Sequence, residues 1–165
     1  MEALGLVLIL YVAYFADFKM QSRDIATRKS VNFEALNLHV LTIIGTLFWP
    51  CWLVFGLKYS APIGFIMAMF FTVINGIIHG VIDWNIWKGY KKNVAKNIHQ
   101  YFKEQSPDDI EERYPSLKDY TEAELRSVFM KEKMYAEDKK FYDTIGFDGY
   151  LHVATIILLY AWFMH

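Results

Sequence analysis

Hydrophobic and polar positions in this chain come in blocks rather than in alternation. Four almost uncharged runs, residues 3–18, 36–57, 61–87 and 147–164, are separated by polar segments. A hydrocarbon core of about 30 Å takes about 20 helical residues, with about 17 as the short limit. The second and third runs meet that length comfortably. The first and last are short, and are expected to complete a crossing with Tyr and Trp in the interfacial zone. Pro50 lies inside the second run and is expected to kink that helix rather than end it. No strand pattern, internal repeat or low-complexity linker interrupts the blocks. The expected fold is therefore all-α: a polytopic membrane protein with four transmembrane helices running up and down. Residues 1–87 carry three helices, residues 88–146 form a helical cytoplasmic insert, and residues 147–165 carry the fourth. The first run lacks a basic flank and a small-x-small cleavage site, so a retained helix is expected rather than a signal peptide.

The insert carries its own helix signals. Ser106-Pro107 reads as an N-cap followed by proline at the first helical position. Thr121-Glu122-Ala123-Glu124 reads as a capping box, with Leu125, Val128, Phe129 and Tyr135 as an apolar stripe behind it. Two or three short helices are expected there, with the stripe as a packing face.

Composition agrees with the block pattern. The chain of 165 residues is 55% hydrophobic, above the roughly 45–50% of soluble domains. Its 17 Lys and Arg are balanced by 18 Asp and Glu, which removes nucleic acid as a default partner. Nearly all of these charges fall in residues 19–34 and 88–143. Lys19, Arg23, Arg28 and Lys29 follow the first run, only Lys58 follows the second, and Lys88, Lys91, Lys92 and Lys96 follow the third. By the positive-inside rule both charged blocks are cytoplasmic and both termini lie outside. Trp84 and Trp87 then mark the inner interface, and Trp49, Trp52 and Trp162 the outer one. The bacterial inner membrane is the expected location, and the bilayer the first partner.

A few ionisable residues break the apolar runs. Asp17 ends the first, with Gln21 one turn on. His39 opens the second. Asn75, His79 and Asp83 are spaced i, i+4, i+8 on the third, while Asp148 and His152 open the fourth with Thr155 continuing their face. Up-and-down topology puts all of them on the cytoplasmic side, within about two turns of the interface. Charged groups at such depth cost several kcal/mol unless they are paired, metal-bound or hydrated. The pairs His79-x-x-x-Asp83 and Asp148-x-x-x-His152 each present an imidazole and a carboxylate on one helix face, a recurring way for bundles to offer metal ligands.

The single Cys51 excludes a disulfide or thiolate site within the chain. Asp17, His39, His79, Asp83, Asp148 and His152 would then bind Zn²⁺, Mn²⁺ or Fe²⁺, with no organic cofactor implied. Six candidates exceed a four-ligand site. Either two ions bind, or some residues orient the others, as Gln21, Asn75 and Thr155 would from behind. Taken singly each residue has a plainer reading: Asp148 as an N-cap, Asp17 reaching to the interface, His39 as a packing histidine, His79 with Asp83 as an interhelical lock. Gly76-x-x-x-Gly80 permits close helix approach, within the bundle or across a homodimer. His99 and His165 read as solvent-exposed.

The ordered set Asp17-Phe18-x-x-Gln21, a basic loop, His39, His79-x-x-x-Asp83 and Asp148-x-x-x-His152 resembles a small four-helix membrane family of phages and bacteria, a domain of unknown function. The resemblance covers the four helices and not the insert, which is longer here. The family pattern places a histidine about one turn before the helix-one aspartate, where this chain has Ala13-Tyr14. One ligand of a complete two-metal site is thereby missing. The resemblance implies a phage or bacterial inner-membrane protein and supplies no activity. A looser similarity to membrane-bound metal-dependent hydrolases leans toward the same chemistry.

Three functions follow as expectations. The first is a metal-dependent hydrolase at the cytoplasmic membrane face, with Asp17, Asp83 or Asp148 as general base for a metal-bound water. The second is a non-enzymatic phage-encoded protein that binds or inhibits a host membrane complex, its polar cluster structural. The third, an ion pathway, needs oligomerisation, because the polar residues occupy one leaflet. The topology is open to direct test: a reporter active only outside the inner membrane, fused after His165, is expected to be active, and one fused within residues 88–96 silent.

Overall fold

The structure is a computed structural model and describes residues 2–104 and 139–165. The described residues are helical, with no strand among them. Helix α1 (Glu2–Tyr14) runs into one π-helical turn, Phe15–Lys19, closed by the Met20 N–H donating to the Phe15 carbonyl at 3.1 Å. A short helix α2 (Arg23–Arg28) follows, its N-cap Ser22 accepting from the Ile25 amide. Helix α3 (Phe33–Lys58) is capped by Asn32, whose side chain accepts from the Ala35 amide at 3.0 Å, and continues through Pro50. After a two-residue link, α4 (Ala61–Glu104) begins; the last described helix is α5 (Lys139–Met164). The expected helices around Ser106 and Thr121 lie outside the described residues.

Contacts divide the chain into two units, Met1–Ile86 with Phe147–His165, and Trp87–Gly146. In the second, the described residues are helical, and the Trp87 and Tyr90 rings meet edge-on at 6.0 Å. The first contains all the candidate ligands. Within it the start of α1 meets the ends of α3 and α5: Lys58 pairs with Glu2 at 2.9 Å, the Tyr160 hydroxyl donates to the Glu2 carbonyl, and that of Tyr59 to the Phe163 carbonyl. Just inside this end, Phe55 stacks on Tyr160 and Phe163 and meets Phe71 edge-on. Ile9, Ile43, Leu47 and Cys51 continue this core along the helices.

The outside is as apolar as the inside. Leu158 is 70% exposed and Trp162 69%, whereas Asp83 is 0% exposed and His39 1%. Such a distribution is unfavourable in water and matches helices whose outer faces meet hydrocarbon. Three helical stretches are long and apolar enough to cross a membrane: Phe33–Lys58, Ala61–Asn93 and Tyr142–Met164. Helix α1, at 13 residues, is shorter than these.

Small residues bring α3 and α4 together. A Cβ at Gly64 would lie 2.3 Å from the Gly56 backbone nitrogen, and one at Gly76 would meet the Ile44 side chain at 2.5 Å. Gly80 faces Val40 in the same way. The Gly76 and Gly80 face is thus occupied by α3, the intrachain one of its two expected uses. Gly64→Val is expected to destabilise the protein by more than the ~1–3 kcal/mol typical of overpacking, because backbone cannot step aside. Gly45 meets nothing within 4 Å, so Gly45→Ala is expected to be neutral or stabilising. Thermal midpoints in detergent measure both; equal losses would show that the helices do not approach this closely.

Candidate metal centre

The polar residues of five segments meet between the helices at the end away from Glu2. The π turn is the first cause. An α-helix widened by one residue re-aims the side chains that follow, and such turns recur at functional sites. Here it carries Asp17 inward, leaving it 7% exposed. The glycine contact of α4 with α3 is the second. It draws His39 of α3 toward His79 of α4 until their Nε2 atoms are 2.9 Å apart. From α4, His79 and Asp83 project one turn apart, and α5 adds Asp148 and His152.

Asp83 sits in the middle and uses its two oxygens differently. Oδ2 lies 3.1 Å from His39 Nε2 and 3.3 Å from His79 Nε2. Oδ1 lies 2.8 Å from Lys29 Nζ and 3.7 Å from His152 Nε2. Asp17 Oδ1 approaches His39 Nε2 at 3.2 Å and His79 Nε2 at 3.7 Å, and Asp148 Oδ1 lies 3.4 Å from His152 Nε2. The His79 and His152 rings stack at 3.8 Å. Donors about 2.0–2.2 Å from one ion stand about 3.0–3.5 Å from each other. His39 and His79 with Asp83 Oδ2, and His39 with Asp17 Oδ1, fall close to that spacing. Neither Asp83 oxygen nor His152 Nε2 receives a well-directed hydrogen bond among the described residues, although all are buried. Lys29 faces Oδ1; the Oδ2 lone pairs and the imidazole nitrogens around them are what a cation would satisfy. Three overlapping sets lie within 4.8 Å: Asp17, His79 and His152; His39, His79 and Asp83; Asp83, Asp148 and His152.

Lys29 belongs to this cluster, and the sequence pattern assigned it to the basic cytoplasmic loop instead. It is 5% exposed. The link from α2 to α3 turns it inward: its amide closes α2 on the Ile25 carbonyl, and the amides of Val31 and Asn32 both return to the Arg28 carbonyl. Besides Asp83, its ammonium lies 3.5 Å from His39 Nε2 and 3.8 Å from Asp17 Oδ1. One signal pointed to it. Three aspartates at one depth in an apolar interior require a positive charge, and Lys29 is the basic residue nearest before His39.

The expected supporting residues divide. Gln21 lies between the Asp17 carbonyl and Lys29 Nζ; with its amide turned to suit both, its nitrogen donates to the former at 3.2 Å and its oxygen accepts from the latter at 3.3 Å. Asn75 is buried and lines a cavity of about 270 Å³ beside the centre, together with Asp17, His79, His152, Leu10 and Ile156. Thr155 gives its hydroxyl to the Leu151 carbonyl of its own helix, away from the cluster. Asp148 is not an N-cap, because the chain is already helical from Lys139 onward. Asp17, the candidate for reaching the interface, is buried instead. His165 is exposed, and the side chain of His99 lies outside the described residues.

No family model, curated protein or solved structure matches the chain. Assignment therefore rests on the geometry above. Asp83→Ala removes the nearer of the two carboxylates beside Lys29 and leaves it Asp17 at 3.8 Å; breaking a buried pair costs up to about 3–5 kcal/mol. A matching fall in thermal midpoint is expected in detergent with chelator present, while Thr155→Val stays within about 0.5 kcal/mol of wild type. Equal stability of Asp83→Ala and wild type would mean that the Lys29–Asp83 pair is not formed in solution.

Proposed function

We propose that the chain is an integral membrane protein holding a divalent metal ion between its helices, and that this ion serves hydrolysis of a substrate with an apolar portion. The observation that carries the reading is the convergence of His39, His79 and Asp83 at ligand-to-ligand spacing, with Asp17 Oδ1 3.2 Å from His39 Nε2 beside them. Imidazole and carboxylate donors suit Zn²⁺, Mn²⁺ or Fe²⁺. Such an ion lowers the pKa of bound water toward neutrality, and a neighbouring carboxylate can take its proton. The adjoining cavity supports the hydrolytic part, since its mostly apolar lining, with Leu10, Ile43 and Ile156, also includes Asp17, His79 and His152 of the centre. An acyl chain seated there would bring its head group to the ion.

The four-crossing topology belongs to this proposal. Helix α1 with its π turn covers residues 2–19, about 27 Å at ~1.5 Å per residue, close to the ~30 Å of a bilayer core. The lysine and arginine distribution supports a cytoplasmic placement of the centre in a bacterial inner membrane. One observation favours the non-enzymatic alternative: the Lys29–Asp83 pair at 2.8 Å can lock helices without any ion. In that reading a host membrane protein or a second copy of the chain would be the functional partner.

Metal analysis of the detergent-purified protein separates the two. Stoichiometric Zn, Mn or Fe is expected in wild type, with at least a tenfold loss of affinity in His79→Ala. A folded wild type that binds none of these ions after reconstitution would overturn the metal reading. For the hydrolytic part, release of fatty acid or phosphate from phospholipid mixed micelles is expected to require the ion and His79. Metal-loaded protein inert toward phospholipids would remove that substrate class.

A further inference from the structure

The cavity beside the cluster has a closed side and an open one. Ile43 of α3 and Asn75 and His79 of α4 close it from within, at 1%, 3% and 5% exposure. The exposed residues of its lining all belong to α1, its π turn or α5: Tyr14 at 55%, Phe18 at 48% and Val153 at 45%. The cavity therefore opens between α1 and α5. Gly149, one turn before Val153, lies on this side, and a Cβ there would meet nothing within 4 Å. Tyr11, Tyr150 and Ile157 are exposed on the same two helices, so the mouth gives onto an apolar surface rather than a polar one.

Asn75 gives this space a chemical preference. Its side chain makes no hydrogen bond among the described residues, although it is almost wholly buried and borders the cavity. A buried amide without a partner is costly, and the cavity is the space from which a partner can reach it. The amide offers donors and an acceptor but no charge, which suits a neutral polar group in an apolar pocket. The carbonyl at the head of an ester-linked acyl chain has that character, and the Asn75 nitrogen can donate to it. At about 270 Å³ the cavity is slightly below the usual range of ligand pockets, about 300–1,000 Å³, and suits one acyl segment rather than two.

We infer that the cavity binds one ester-linked acyl chain of a membrane lipid, admitted between α1 and α5, with Asn75 donating to the ester carbonyl. Asn75 precedes His79 by one turn of α4, about 6 Å along its axis. The held carbonyl thus lies within a turn of the histidine and aspartate cluster. Binding of the ester needs no ion. That the bound ester is also the hydrolysed substrate rests on the metal reading above. Hydrolysis there adds water across the acyl C–O bond and releases a fatty acid and an alcohol.

The test is lipid competition read by native mass spectrometry, on detergent-purified protein with chelator present. Monopalmitoylglycerol carries the ester carbonyl, and the hexadecyl ether of glycerol has a methylene in its place. Wild type is expected to prefer the ester by about tenfold. In Asn75→Leu the preference falls to near unity while the thermal midpoint holds or rises, because no hydrogen bond within the fold is lost. Gly149→Leu, which places a side chain in open space and favours the helix, is expected to keep its midpoint and to lose binding of both lipids. Equal binding of ester and ether by wild type overturns the inference, as does a preference that survives Asn75→Leu. A large fall in the midpoint of Asn75→Leu reveals a partner within the protein and overturns it as well. Undiminished binding by Gly149→Leu overturns the entry between α1 and α5. Ester preference in a protein that takes up no metal removes only the hydrolytic step. Metal uptake without ester preference removes only this inference, so the two failures are distinguishable.

Discussion

An aspartate with no solvent exposure, surrounded by helices whose outer faces are leucine, phenylalanine and tryptophan, needs opposite charge within a few ångströms. Asp83 finds it in Lys29 on one oxygen, and turns the other to imidazole nitrogens. Much of the local architecture follows from that requirement. The link after α2 folds inward to deliver the lysine, and the glycines of α4 let α3 close enough to deliver His39. The π turn brings a further carboxylate to the same point. Without the ammonium this would be an acidic hole that apolar packing could not hold closed.

The two ends of this unit divide the work. Near the Glu2 end, aromatic rings from α3, α4 and α5 stack and cross, supplying dispersion and area burial that need no partner charge. At the other end, side chains are short, polar and mutually dependent. Packing of the first kind tolerates small adjustments. A charge cluster in low dielectric does not, because every member sets the energy of the others. A rigid aromatic end and a coupled polar end suit a fold that must hold donor atoms in register.

Much of this was legible in the chain. The repeated i, i+4 pairing of His79 with Asp83 and of Asp148 with His152 announced two inward faces, and a common depth announced that they could meet. Helical period and block length, both properties of a single sequence, carry that much. Lys29 was hidden because a lysine among Arg23, Arg28 and Lys19 is indistinguishable by pattern from a solvated one; only the link's backbone turns it inward. The role of Asp148 turned on where α5 begins. Hydrophobic periodicity does not encode where a helix is already under way, and a helix running from Lys139 through Asp148 makes the residue interior. The inert placement of Thr155 is a rotamer choice, made in favour of its own helix carbonyl.

The π turn also has a meaning in terms of chain editing. A π turn is an α-helix with one residue inserted, so it separates the register of α1 before Phe15 from the register after it. The loss of the Phe15 or Ala16 codon would restore a regular helix and turn Asp17 by about 100° around the axis of α1. The apolar face that α1 shows to its neighbours would survive such a deletion. The number of carboxylates in the cluster would not. A chain of this design can gain or lose a ligand by a change in length alone, with no substitution at the site itself.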